Sequence, residues 1–335
     1  MNRSPSEVIG LLAFRAKPVA QKRIERVVKD TTTCAMTPSL DQSGIIDAHV
    51  HLFDPTRVQG VPWPTKEDGV LYQPALPNRY RTVVTDLGVT GAIVVEASPW
   101  LEDNQWVLEV ASGDAIIVGV IGYLRPGTPS FRSHLDRLQS NQLFRGIRYG
   151  NLWDADLTAD LSNTEFVSDL ELLAGAGLAL DVADPTPRLI SEVVRITDKV
   201  PSLRVIIDHL PQLDPPTEVH AHKNFEGNLL ELSKRPQVFV KMSEVLRRVR
   251  DNVPNDLNFY RPRLDELWDL FGQDRLLYGS DWPNSDLWAP YSTVLKLARE
   301  YFVGKGPSVA KKFFFENSVA AYRWVKRSHT VLPDL

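Results

Sequence analysis

From residue 44 onward the chain alternates short, continuously apolar runs with longer amphipathic ones. The apolar runs are Ile45–His51, Gly91–Ala97, Ala115–Leu124, Phe144–Gly150, Leu178–Ala183, Leu203–Leu210, Val238–Val245 and Arg275–Ser280. Several are unbroken in Val, Ile and Leu, the pattern of parallel strands buried on both faces. Between them, Tyr80–Gly88, Asn104–Ser112, Ser130–Asn141, Thr164–Gly175, Pro187–Val200, Gly227–Arg235 and Pro262–Phe271 have helical periodicity, and Ala289–Phe302 and Ser308–Val325 follow the last run. Eight strand–helix units in succession predict a parallel sheet closed into a single α/β domain, a (β/α)8 TIM barrel. An open doubly wound sheet is the competing arrangement, but no glycine-rich phosphate loop follows the first strand. The barrel is expected over residues 44–326, with an N-terminal extension at 1–43 and a short tail at 327–335.

Composition adds constraints. The 335 residues are 43% hydrophobic and 24% charged, with a formal net charge of −4. That is material for a large core and carries no basic field for nucleic acid. The one cysteine, Cys34, excludes an internal disulfide and a thiolate metal cluster. No segment approaches the ~20 apolar residues of a membrane span. The apolar stretch Val8–Phe14 lacks a convincing cleavage site, so a cytoplasmic protein is expected. Residues 15–29, with Arg15, Lys17, Lys22, Arg23, Arg26 and Lys29, read either as a solvated extension or as a basic amphipathic helix for a membrane surface or partner.

Strand ends carry the candidate chemistry. In Asp47-Ala48-His49-Val50-His51 two histidines stand two apart, so a strand projects both to one face. Such a pair can hold a divalent metal or an anionic substrate, or be a satisfied core pair. In a barrel the carboxyl ends of all strands meet at one mouth. There His49 and His51 would be joined by Glu96, Tyr123, Arg148, Asp181, His209, Lys241 and Asp281. Burying one unpaired charge costs roughly several kcal/mol, so these groups must pair, hold a metal or face a wet cavity. Glu96 reads as a metal ligand, a partner of Arg148 or a simple salt bridge. Arg148 has the fork geometry for a substrate carboxylate, whereas Arg145, three residues earlier, falls on the other strand face. Lys241 is an electrophile for a carbonyl or an interior ion-pair member.

Taken together, Ile46-Asp47-Ala48-His49-Val50-His51-Leu52, Phe144-Arg145-Gly146-Ile147-Arg148, Ile207-Asp208-His209, Tyr278-Gly279-Ser280-Asp281-Trp282-Pro283 and Phe313-Phe314-Phe315-Glu316-Asn317 resemble the amidohydrolase superfamily. Within it they look like the amidohydrolase-related branch of metal-dependent barrel hydrolases, which includes sugar lactonases of the L-fuconolactonase type and 2-pyrone-4,6-dicarboxylate lactonases. The resemblance spans about residues 44–326. It implies catalysis by His49, His51, His209 and Asp281, with Asp281 as general base. It also implies one divalent metal, zinc or manganese, on His49, His51 and Asp281, with His209 or Glu96 completing the shell. A metal-free site, in which the histidines bind substrate directly, is the other arrangement the branch offers. Two metals are not expected, because strands four and five present Arg148 and Asp181 where a binuclear site needs other ligands.

The expected reaction is water attack on a small sugar or carboxylated lactone, with Arg148, Lys241, Tyr123 and Trp282 toward substrate. Amide hydrolysis, non-oxidative decarboxylation and a non-catalytic binding barrel are the alternatives. A small-molecule substrate, no nucleic acid, no membrane segment and a homo-oligomer complete the expectation. His220-Ala221-His222 repeats the histidine spacing but sits in a polar stretch after Asp214-Pro215-Pro216 and is expected to be solvated. His134 reads as surface, and His329 lies in the tail. Trp63, Trp100, Trp153 and Trp288 flank the mouth, where one or two could stack on a ring.

Overall fold

The structure is a computed structural model that describes residues 44–327; the extension with its basic stretch and Cys34, and His329, lie outside the described residues. Each apolar run yields one strand: β1 Ile45–Val50, β2 Val89–Val95, β3 Ile117–Gly122, β4 Phe144–Arg148, β5 Ala179–Val182, β6 Arg204–Ile207, β7 Val238–Met242 and β8 Leu276–Tyr278. They form one parallel sheet in the order β1 to β8. The sheet closes on itself beyond the last regular residue of β8. Val50 bridges Trp282 in parallel, Asp281 N–H donates to His49 O at 2.9 Å, and His51 N–H donates to Trp282 O at 2.8 Å. The expected (β/α)8 barrel is therefore observed.

A helix follows each strand: α1 Pro77–Val84, α2 Leu101–Ser112, α3 Phe131–Gln139, α4 Thr164–Gly175, α5 Pro187–Lys199, α6 Val219–Ser233, α7 Leu257–Phe271 and α8 Tyr291–Gly304. In α5 the Thr186 hydroxyl accepts from Leu189 N–H, Pro187 opens the first turn, and Leu189, Ile190, Val193 and Ile196 are buried against the barrel. Four helices begin earlier than the sequence periodicity suggests, α1 and α2 by three residues each and α6 and α7 by more. Helix α6 starts at Val219 because the Glu218 carboxylate caps His220 and Ala221 N–H. Helix α7 starts at Leu257 behind an Asp256 cap and carries Pro262 in its interior, where the sequence reading placed a start. Ser308–Val325, expected as one helix, is a short helix, a π turn over Lys312–Glu316 and a last helix, α9 Asn317–Tyr322. The wide turn swings Phe313 into the core, stacked on Phe302 with ring centroids 3.4 Å apart.

Two cores result. The larger lies between sheet and helices, and the smaller fills the barrel with Ile46, Ala48, Val95, Ile206, Phe239 and Leu277 and is sealed by Tyr322 and Trp324. Two residues beyond Ala179, Ile206 and Phe239, strand alternation brings Asp181, Asp208 and Lys241 to the same interior side. In β1 the alternation is interrupted by a register shift between Asp47 and Val50. Ile46 and Ala48 face the inner core, yet His49 also turns inward and Val50 joins the outer core. An irregular strand end of this kind re-aims side chains, here both histidines, into the mouth.

Candidate active site

Asp47 anchors the seam between first and last strands. Its Oδ1 accepts from His49 N–H at 3.2 Å and Ser280 N–H at 2.8 Å, and its Oδ2 from the hydroxyls of Tyr80 at 3.0 Å and Tyr291 at 2.9 Å. Gly279 is required beside it, because a Cβ there would lie 2.9 Å from His49 Cβ. Above the inner core is a buried polar layer. Lys241 Nζ donates to Asp181 Oδ2 at 2.5 Å and is ion-paired with Asp208 Oδ1 at 2.9 Å, with His49 Nδ1 3.1 Å away. Tyr322 donates to Asp181 from the other side. Lys241 is thus an interior ion-pair member with no exposed surface, and it does not reach substrate space.

Three ligand atoms meet above this layer. His49 Nε2 and His51 Nε2 are 3.3 Å apart, His51 Nε2 and Asp281 Oδ1 3.2 Å, and His49 Nε2 and Asp281 Oδ1 3.6 Å. Four ligands held tetrahedrally at about 2.1 Å are separated by about 3.4 Å, so this triangle has the dimensions of one face of a zinc-type site. His51 Nδ1 lies 3.0 Å from Val95 O. A carbonyl only accepts, so Nδ1 carries the proton and Nε2 presents its lone pair, as a second-shell carbonyl does for a metal-bound histidine. Burial holds His51 down to about 4, with the Arg148 charge adding to it, and burial also lowers His49 and His209. All three are neutral imidazoles at pH 7, the form that ligates. The residues present fit one divalent ion.

Asp281 belongs to a series. The residues that follow β5, β6, β7 and β8 include four non-glycines in the left-handed backbone region: Asp184 (φ 55°), His209 (52°), Glu244 (49°) and Asp281 (60°). Each such conformation costs roughly 1–2 kcal/mol, and strain of this kind concentrates where side chains must be aimed. Asp184, His209 and Glu244 line a cavity of about 620 Å³ at the mouth, walled by Trp63, Trp153 and Trp288. His209 Nδ1 lies 2.8 Å from Ser243 Oγ, and its ring is 4.4 Å from that of His49. Glu244, with no part in the sequence reading, brings its carboxyl within 4.8 Å of ligand atoms of His209 and Asp281. Burial pushes Asp281 up to about 7; burial and then the Asp281 charge push Glu244 up to about 9. The signal available for Glu244 was its place, a polar residue just past an apolar strand.

The other expected site residues have partners of their own. Glu96 is absent from every His/Asp/Glu cluster of metal-binding dimensions among the described residues. Its carboxylate instead takes Arg148 Nε at 2.7 Å, Trp153 Nε1 at 3.1 Å and Ser98 N–H at 2.9 Å. Arg148 reaches the cavity already paired. Tyr123 is held behind it by Asn104, which bonds both its backbone groups. Trp282 is fully buried against Tyr80, because cross-seam pairing with β1 turns it away from the mouth. His220 is exposed and His222 half-buried in the first turn of α6, with His222 paired to Glu226, and His134 is a helix-surface residue of α3.

A closed parallel barrel with histidines after its first and sixth strands and an aspartate after its eighth defines a barrel hydrolase. The chain belongs to the amidohydrolase family, whose model matches residues 46–324. It is 29% identical over 247 residues to an L-fucono-1,5-lactonase from Burkholderia ambifaria, covering 72% of this chain and 81% of that protein. A second L-fucono-1,5-lactonase, from Burkholderia multivorans, is 26% identical over 264 residues, covering 76% and 88%. A crystal structure of an amidohydrolase from Burkholderia multivorans with bound zinc superposes with a TM-score of 0.72 at 23% identity, covering 84% of this chain and 99% of that one. This last similarity confirms the fold. Among the described residues no helix is long and apolar enough to cross a membrane.

Proposed function

We propose that the protein opens a small lactone to its hydroxy acid by addition of water, with Asp281 as general base. The observation that carries the reading is the position of Asp281: it shares the His49–His51 triangle and is aimed, by a strained backbone, beside a ring-sized cavity. The two relatives of similar length that are lactonases support the choice of ester over amide. Asp281 takes one proton of a water whose oxygen bonds to the lactone carbonyl carbon. With the Ser243 hydroxyl donating to His209 Nδ1, His209 Nε2 carries a proton and donates to the developing oxyanion. The tetrahedral species collapses by breaking the bond to the ring oxygen, which takes the proton back from Asp281. The new carboxylic acid then ionises, releasing one proton at neutral pH. A carboxyl pushed up to about 7 is matched to this give and take. A divalent ion held by His49, His51 and Asp281, zinc by the dimensions of the triangle, would supply Lewis acidity to the carbonyl.

Proton release in a pH-stat against a panel of five- and six-membered lactones tests the reading. The expected result is stoichiometric release without carbon dioxide, and Asp281→Asn lowers kcat by about a thousandfold. A panel that stays closed, or an Asp281→Asn variant with unchanged turnover, overturns it.

A further inference from the structure

The charge arrangement of the cavity goes one step beyond lactone opening, and rests on it. Arg148 is the only lysine or arginine among the described residues that line the cavity, and its charge is paired with two buried acidic side chains. Nε donates to Glu96 Oε1 at 2.7 Å, one terminal nitrogen donates to Glu96 O at 2.8 Å, and the other lies 3.8 Å from Asp208 Oδ2. Glu96 is in turn immobilised. Ser98 N–H reaches Oε2 at 2.9 Å, and Trp153 Nε1 lies 3.1 Å from Oε2 and 3.3 Å from Oε1. Both members of the pair are buried, Glu96 at 6% exposure and Arg148 at 6%. The other acidic residues on the wall are Asp184 and Glu244. Arg248, over the ring of Trp288, is exposed to water that screens it.

We infer that Glu96 is a specificity-determining residue: by occupying Arg148 it makes the site select lactones without a carboxylate. A carboxylate on the substrate would have to displace Glu96 from a buried pair or stand without a free lysine or arginine on the cavity wall, and both are unfavourable. A neutral, hydroxylated ring meets hydrogen-bonding groups such as Gln212 and Asn284 and three tryptophans. Glu96 acts through Arg148 and Trp153 and is a positioning residue, so the effect belongs in substrate discrimination.

The test compares matched lactone pairs that differ only in a hydroxymethyl against a carboxylate, first with the wild-type protein. The neutral member is expected to have the higher kcat/KM by about tenfold or more, the size of one charge-assisted hydrogen bond gained or lost. Glu96→Gln frees the guanidinium and moves the ratio toward the carboxylated member by about the same factor, through KM. The double variant Glu96→Gln/Arg148→Met returns it toward the neutral one. Equal or better wild-type use of the carboxylated member overturns the inference, whether or not the variants fold. So does a folded Glu96→Gln with an unchanged ratio. Failure to open either member is a different result, since it removes the lactonase reading itself.

Discussion

Burial sets the protonation states of individual residues in this site more strongly than any single partner does. The two carboxyls Asp281 and Glu244, pushed up to about 7 and about 9, sit side by side in the mouth. An acid whose folded pKa lies above its unfolded one contributes stability that is present below the unfolded value and lost as pH rises through the folded one. Above pH about 7 the buried histidines of the site are neutral in both states and Asp281 is largely ionised in both, which leaves Glu244. Metal-stripped protein is therefore expected to lose thermal stability between about pH 7 and 9, with a slope of at most about 1.4 kcal/mol per unit for each proton. A melting series in matched ionic strength checks this, and a flat or rising profile would contradict the raised values. Residue types were readable from sequence: His49, His51, His209 and Asp281 were singled out by spacing and resemblance and converge in space. Their partners were not. For Glu96 the sequence leaves three readings open, and the one that pairs it with Arg148, 52 positions away in the chain, is selected by the fold.

At the scale of elements, the seam between β1 and β8 governs the site. β8 has three regular residues, and closure depends on a bridge, two backbone hydrogen bonds and the four donors gathered by Asp47. Removing that acceptor leaves two buried phenols and two buried amides competing for nothing. Asp47→Ala is expected to destabilise the protein by about 3 kcal/mol or more, whereas Tyr291→Phe, which removes one donor and leaves the carboxylate satisfied by others, costs about 1 kcal/mol. Chemical denaturation of both variants measures the difference; equal, small losses would show that the seam is held elsewhere. The strands were legible because burial on both faces writes itself as continuous apolar sequence. Their ends were read too long at His51, Leu210, Val245 and Ser280, because backbone that turns to aim a side chain keeps the apolar neighbours of a strand. Helices α6 and α7 were read too short, since caps at Glu218 and Asp256 outweigh the internal Gly227 and Pro262.

For the whole molecule, the His49–His51–Asp281 triangle spans the closing seam, with two of its side chains at the end of β1 and one after β8. An ion there binds only the closed barrel, so its affinity adds to global stability. At free ion about 100 times its dissociation constant the gain is about 2.7 kcal/mol. Titrating zinc into chelator-treated protein is expected to raise Tm with concentration, and His51→Ala is expected to abolish the rise. A Tm indifferent to zinc would mean that the triangle does not hold it. The sequence by itself determined the eight strand–helix units, their parallel order, the barrel and the histidines and aspartate that converge at its mouth. Each of these depends on short-range periodicity or on motifs contiguous in the chain. Tertiary structure alone decided which polar residues reach the cavity. Lys241, Tyr123 and Trp282 lie at strand ends as His209 and Asp281 do, yet are buried in the polar layer, behind Asn104 and against Tyr80. The reason is geometric. Periodicity assigns a side chain to one of two faces, but depth along the barrel, the register shift in β1 and the left-handed turns after β5 to β8 fix whether that face opens on water, on another charge or on substrate.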